Sequence, residues 1–262
     1  ESALDTSETV DPKEQIEEAE TALYRVSEGE AQEGGVSSFL QASTEALTNV
    51  ERAFNSGGKV SGITTGLSDV NAKMGGLHRS DLLILAGRPG MGKTSLATNI
   101  AFNAAHRYLR DMEDGIAPAD SLGAKTVFFS LEMSADQLAT RILSEQAEIS
   151  SEKLRMGAIS RDDMHRLALA SRELQDLPLF IDDTPALTIA ALRTRARRLQ
   201  RRQGIGLIVV DYLQLLQGSG RANDNRVNEI SEISRGLKTL AKELQVPVIA
   251  LSQLSRQVES RE

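Results

Sequence analysis

Leu82-Leu83-Ile84-Leu85-Ala86-Gly87-Arg88-Pro89-Gly90-Met91-Gly92-Lys93-Thr94-Ser95-Leu96-Ala97-Thr98-Asn99-Ile100-Ala101 places a strand, a loop and the start of a helix in one stretch. Residues 82–86 form a short, continuous apolar run, which suits a strand buried on both faces of a parallel sheet. Residues 95–101 have helical apolar spacing. Between them, residues 87–94 fit G-x-x-x-x-G-K-[ST]. Glycines let such a loop wrap closely around phosphates, so that its N–H groups and the helix N-terminus point at negative charge. Lys93 would then reach the β- and γ-phosphates, and the Thr94 hydroxyl would ligate Mg²⁺. The alternative is a Gly-rich turn that matches by chance; a strand before it and a helix after it argue against that. The candidate nucleotide-binding residues are therefore Gly87, Arg88, Pro89, Gly90, Met91, Gly92, Lys93, Thr94 and Ser95.

At 262 residues and 40% apolar composition, the chain can form one large α/β domain or a medium domain with an appendage. Aromatic residues are only 3% and Trp is absent, so the core is expected to be Leu, Ile, Val and Ala. Aromatic platforms for stacking single-stranded bases are not expected. Cysteine is absent, which excludes a disulfide framework and a thiolate metal site, and His78, His106 and His165 are too dispersed to suggest an imidazole one. No stretch approaches an apolar membrane span, and the acidic start Glu1-Ser2-Ala3-Leu4-Asp5 lacks the basic region of a secretory signal. A soluble cytoplasmic protein is expected. The net charge of −7 argues against a surface that binds nucleic acid all over, but leaves room for a local basic loop facing a central channel.

Residues 1–11 are polar and acidic without periodicity, and read as a disordered or linker start. Over residues 12–27, Ile16, Ala19, Leu23 and Val26 recur at helical spacing among Glu17, Glu18 and Glu20, with Pro12 suited to a first turn. The polar residues 29–35 tether this amphipathic helix, so its apolar stripe either folds back on its own domain or docks on a neighbouring subunit. The division is thus residues 1–34 (start, helix and flexible linker) and residues 35–262 (main domain). A second helix is expected over residues 39–54, with Leu40, Ala46, Leu47, Val50 and Phe54 as its buried face and Gly57-Gly58 ending it. Strands are expected at residues 82–86, 126–131, 179–182, 207–211 and 246–251. Their alternation with helical stretches implies a mostly parallel sheet flanked by helices. Residues 111–125, with Gly115, Pro118 and Gly123, read as a surface excursion.

In Leu207-Ile208-Val209-Val210-Asp211 a buried-type strand runs into a carboxylate at its carboxyl end, where open α/β sheets place their ligands. Asp211 is the expected second Mg²⁺ residue, acting through the ion's water shell because Mg²⁺ dehydrates reluctantly; the alternative is a strand-end Asp that caps a turn. Phe128-Phe129-Ser130-Leu131-Glu132 repeats the pattern, so Glu132 is the candidate base for the attacking water, against the reading that it caps the helix beginning near Ser134. Gln253 follows Val248-Ile249-Ala250-Leu251-Ser252 on the same edge, and its neutral side chain can hydrogen-bond a γ-phosphate or the water that attacks it. Arg193, Arg195, Arg197, Arg198, Arg201 and Arg202, in the helix predicted over residues 192–203, read either as a solvated face or as a nucleic-acid or subunit contact. The Gly- and Asn-rich residues 217–226 carry Arg221, Asn223 and Arg226, which are candidates for DNA backbone phosphates.

GRPGMGKT (87–94), FFSLEMS (128–134), LIVVDYLQLL (207–216), NRVNEISEISRGLKTLAKEL (225–244) and VPVIALSQLSR (246–256) together resemble the DnaB family of replicative DNA helicases. The likeness runs from Gly62 onward and includes the lead-ins Gly62-Ile63-Thr64-Thr65-Gly66-Leu67 and Gly76-Leu77-His78-Arg79-Ser80-Asp81-Leu82. It implies a RecA-like P-loop NTPase domain that assembles as a homohexameric ring around single-stranded DNA and hydrolyses ATP with Mg²⁺ between subunits. Primase and a helicase loader are the implied partners. By position, Lys93 and Thr94 match the phosphate and magnesium residues, Glu132 the catalytic base, Asp211 the Walker B carboxylate and Gln253 the γ-phosphate sensor. The helix at residues 12–27 resembles the family's linker helix, which packs on the adjacent subunit.

Residues 1–262 are expected to lack the family's primase-binding N-terminal domain, and also the segment with the arginine finger and a DNA-contacting loop, which the resemblance places after Glu262. Arg256 and Arg261 do not match the finger. This stretch is therefore expected to bind nucleotide better than it hydrolyses it. Two other functions compete: a filament-forming RecA-like recombinase or other DNA-dependent ATPase, and a nucleotide-gated module that docks a partner. Glu132 argues against the second, because a pure binder has no need of a base.

Overall fold

The computed structural model describes residues 38–55, 60–217 and 226–254. Its framework is a five-stranded sheet in the order β1 (Leu82–Gly87), β5 (Val248–Gln253), β4 (Leu207–Asp211), β2 (Thr126–Ser130), β3 (Leu179–Asp182). Every pairing is parallel, so all five strands end on the same edge. The central strands β2 and β4 are buried throughout because both faces are covered, whereas the edge strand β1, expected to be buried on both faces, leaves Ile84 48% exposed. Along β4, Ile208 and Val210 enter one core with Val127 and Phe129 of β2, while Leu207 and Val209 enter the other with Phe128. The first core is closed by Leu192 and Ala196 of α7 (Ile189–Gln203) and by Ile233, Leu237 and Leu240 of α8 (Arg226–Leu244). The second is closed by Ala97, Ile100, Ala101 and Ala104 of α3 (Lys93–Glu113) and by Leu138 of α4 (Ala135–Gln146). The small residues of α3 let it lie close over the middle of the sheet.

Two further expectations need correction. Val246 is buried but precedes β5, because α8 is followed by Gln245 at φ 52°, the Val246 N–H closes back on the Ala241 carbonyl at 3.1 Å, and Pro247 has no N–H to give a ladder. More consequentially, α1 (Phe39–Asn55) forms where expected, started by Ser38 and Gln41, which exchange backbone-to-side-chain bonds of 3.2 Å. Its apolar stripe, however, is not a buried face. Leu40, Leu47, Val50 and Phe54 are all exposed, Leu47 at 68% and Phe54 at 83%. Helix formation here is decided by local capping and spacing; cover for the stripe has to come from outside the described residues.

The excursion over residues 111–125 starts inside α3. Asp111, 1% exposed, accepts from Arg107 Nε at 2.7 Å, Ser121 Oγ at 2.8 Å and the Leu122 N–H at 3.0 Å, which folds the excursion back on the helix. Among the described residues no helix is long and apolar enough to cross a membrane. The remaining helices are α2 (Ser68–Met74), α5 (Ser151–Met156) and α6 (Arg161–Glu173); α5 and α6 stack with α4 around a small separate core of Ala147, Ile149 and Ala170. The predicted helix and linker of residues 1–34 lie outside the described residues.

Candidate nucleotide site

β1 ends at Gly87 and α3 begins at Lys93, so residues 88–92 carry the chain over the carboxyl edge of the sheet. Gly90 and Gly92 take φ of 76° and 81°, while a Cβ at either would meet nothing within 4 Å. The need for glycine is therefore conformational. The first N–H groups of α3 have no acceptor within the helix and give this loop its affinity for anions. Lys93 is half-buried, and its Nζ donates to the Arg88 carbonyl at 2.9 Å, which keeps the ammonium on the loop.

Asp211 closes β4 and is 1% exposed. The Thr94 side chain lies beside its carboxylate and favours the charged form, while Asp211 Oδ2 is buried with no hydrogen-bond partner among the described residues. Burial pushes this carboxyl above the ordinary range; the Thr94 hydroxyl, Lys93 and Arg141 pull it back, and the nearby charge of Glu132 pushes it further up. An orphaned carboxylate oxygen beside a hydroxyl fits a hard divalent cation, so Thr94 and Asp211 are the residues that would hold Mg²⁺. Raised in the folded state, Asp211 contributes stability at acid pH that is lost as pH rises through its folded pKa. Asp211→Asn is thus expected to raise the Tm of the nucleotide-free protein, by a margin that widens from weakly acidic to neutral pH, and to remove the Tm gain from Mg²⁺ with nucleotide. Thermal melts across that range test this, and a Tm below wild type at neutral pH would contradict it.

Glu132 lies two residues beyond the end of β2, near enough to Asp211 for its charge to act on that carboxyl. Strands β2 and β4 pair up to Ser130 and Asp211, and the Leu131 N–H donates to the Asp211 carbonyl at 2.9 Å. The turn is pinned by Ser130 Oγ donating to the Met133 carbonyl at 2.7 Å and by the Ala135 N–H donating to Asp183 Oδ2 at 2.8 Å. Ser134 is the N-cap of α4, and its N–H donates to Gln137 Oε1 at 3.3 Å. The cap is accordingly Ser134 and not Glu132, which is left exposed at the sheet edge.

Gln253 is the last residue of β5, in register with Gly87 at the start of the loop, and the Leu254 N–H donates to the Gly87 carbonyl at 3.1 Å. One neighbour escaped the sequence reading. Gln214, in the turn Leu213–Leu215, accepts from the Gln253 N–H at 3.2 Å and donates to the Gln253 carbonyl at 3.1 Å and Ser252 Oγ at 2.9 Å. Its only signal was an amide set between Leu213 and Leu215 in an otherwise apolar run.

The basic candidates divide differently. Arg221 and Asn223 lie outside the described residues, and Arg226 opens α8 with its side chain also outside them. The arginines of α7 are not one solvated face: Arg197 is buried and Arg193 half-buried against Glu243, with Arg197 Nη2 at 2.9 Å and Arg193 Nη2 at 3.4 Å from Oε2. Arg195 binds Asp182 at 2.8 Å. Arg198, Arg201 and Arg202 remain exposed.

Residues 62–262 match the family model described as the DnaB-like helicase C-terminal domain. The chain is similar to the replicative DNA helicase DnaB of Rickettsia bellii (strain RML369-C), 48% identical over 99% of this chain and 51% of that one. It is also similar to the DnaB of Geobacillus stearothermophilus, 41% identical over 94% of this chain and 51% of the relative. It thus spans about half the length of the curated relatives it matches. Among solved structures, one described as an ATPase domain superposes with a TM-score of 0.70 at 32% identity, over 88% of this chain and 75% of that one. A DnaB-like replicative helicase, described with its interactions with primase, gives 0.68 at 30% identity, over 95% and 55%. A RecA-like sheet that gathers a phosphate loop, Asp211, Glu132 and Gln253 on one edge, in a chain matched by these relatives over nearly its full length, belongs to the DnaB-like helicase C-terminal domain family.

Proposed function

We propose that this chain is the motor portion of a replicative DNA helicase, in which ATP hydrolysis between subunits of a hexameric ring drives translocation on single-stranded DNA and duplex unwinding. The observation that carries the reading is the gathering of Lys93, Thr94, Asp211, Glu132 and Gln253 at the carboxyl ends of adjacent parallel strands. Lys93 exchanges its Arg88 carbonyl for the β- and γ-phosphate oxygens of ATP. Thr94 and Asp211 would hold the cation, which would neutralise charge developing on the transferred phosphoryl group. Glu132, exposed and free of capping duty, accepts the proton of the attacking water. Gln253 contacts the γ-phosphate or that water. A recombinase would share most of these groups, but membership of the DnaB-like family favours the helicase. ATP hydrolysis by the full-length protein is expected to rise when single-stranded DNA is added, with a ring in electron micrographs; a filament, or hydrolysis indifferent to DNA, would overturn the reading.

The ring reading gives α1 an occupant for its exposed stripe. The subunit contact foreseen for residues 12–27 falls outside the described residues, whereas Leu40, Leu47, Val50 and Phe54 present a stripe of the same kind. We assign them to the adjacent subunit. Burying one Leu is worth about 1.5–3 kcal/mol, so Leu47→Asp should raise the concentration needed for assembly by about tenfold or more. Light scattering over a concentration series measures this; unchanged assembly would remove α1 from the interface. Arg221, Asn223 and Arg226 are proposed for the DNA backbone. Primase, as in the solved DnaB-like relative, and a loader are the proposed partners.

A further inference from the structure

We infer that Gln214 is a positioning residue that sets Gln253 for contact with the γ-phosphate, its carboxamide standing in for the strand that β5 lacks at its end. The inference rests on the reading of Gln253 given above. Strand β4 pairs with β5 through Val210 and Ala250, and the chain then leaves the sheet at Asp211 for the turn Leu213–Leu215. The side of β5 that faced β4 therefore loses its backbone partner just before Ser252 and Gln253. Gln214 fills that place. Its Oε1 accepts from the Gln253 N–H and its Nε2 donates to the Gln253 carbonyl, so one amide side chain satisfies both backbone groups of one residue as a neighbouring strand would. The second Nε2 hydrogen is used on Ser252 Oγ, which orients the carboxamide. On its other side Gln253 is fixed by β1, in register with Gly87.

Only a group that offers an acceptor and two donors from one planar head can make this set of bonds. Glutamate keeps the acceptor but turns the donor into a second acceptor facing the Gln253 carbonyl, and Ala removes all three. Freed from Gln214, the end of β5 is held from the Gly87 side alone, and Gln253 no longer meets the terminal phosphate in a fixed place. The loss falls on discrimination between triphosphate and diphosphate, because the diphosphate never reaches Gln253, while the Lys93 contacts common to both are untouched.

The test measures affinities of the full-length protein for ADP and for a non-hydrolysable ATP analogue in wild type, Gln214→Ala, Gln214→Glu, Gln253→Ala and the Gln214→Ala/Gln253→Ala double variant, with Tm recorded for each. Gln214→Ala and Gln214→Glu should each cut the triphosphate preference by about tenfold, the worth of one lost hydrogen bond to a charged group, with ADP affinity unchanged. The double variant should be no worse than Gln253→Ala alone, since both changes remove one contact. A normal preference in Gln214→Glu, or additive losses in the double variant, would overturn the positioning role. A normal preference in Gln253→Ala would instead overturn the γ-phosphate reading, and the inference with it. If Gln214→Ala is too unstable to assay, the near-isosteric Gln214→Glu decides alone.

Discussion

Glu132→Gln in the full-length protein is expected to retain nucleotide affinity and to lose turnover by about 10²–10⁴-fold, the usual worth of a positioned general base. The amide keeps the size and shape of the side chain but cannot take a proton. Ser134 caps α4 and the backbone of residues 130–135 is pinned by bonds that do not involve the Glu132 side chain, so the substitution leaves the turn standing. Removing one negative charge near Asp211 also eases one of the influences that raise that carboxyl, which favours its ionised, cation-holding form. Single-turnover hydrolysis together with equilibrium nucleotide binding makes the test. Near wild-type turnover would return Glu132 to a passive place on the sheet edge.

Lys93→Ala is expected to fold normally and to bind ATP about 10²–10⁴-fold more weakly, which corresponds to two charge-assisted hydrogen bonds of about 1.5–3 kcal/mol each. The native bond that Lys93 gives up is one donation to the Arg88 carbonyl, an exposed contact, and the left-handed Gly90 and Gly92 hold the loop shape without it. Titration calorimetry with ATP, beside a melt showing wild-type Tm, is the measurement. Undiminished affinity in a folded Lys93→Ala protein would sink the nucleotide site as assigned.

The fold was legible where chemistry is carried by contiguous residues. Strands buried on both faces read as apolar runs, and β3 and β4 fell on their predicted residues. The phosphate loop needed only its own letters and a strand and helix on either side. Pairing across the sheet left no such trace: nothing in Leu82 or Val248 announces that they are partners, so the proximity of Gln253 to Gly87 became visible only in the register. Gln214 was missed for a related reason, since its importance lies in two backbone groups almost forty positions away. The α7 arginines looked like a solvated face because a helical wheel cannot show Glu243 and Asp182 arriving from other elements. The stripe of α1 was read as buried because apolar spacing announces that a face wants cover without saying whose.

The order of the strands bears on how the chain is made. Among the described strands, β1 touches only β5, so the strand that leads into the phosphate loop waits for the last of the five to emerge from the ribosome. At about 5–20 residues per second that wait is roughly 10–30 s for the stretch between them. Throughout it, Leu82, Leu83 and Leu85 have no strand to lie against, and a nascent apolar β-segment in that condition is what chaperones bind. Synthesis arrested before residue 248 should therefore leave β1 open to protease while the partners β2, β3 and β4, whose pairings need nothing beyond residue 211, can already have formed.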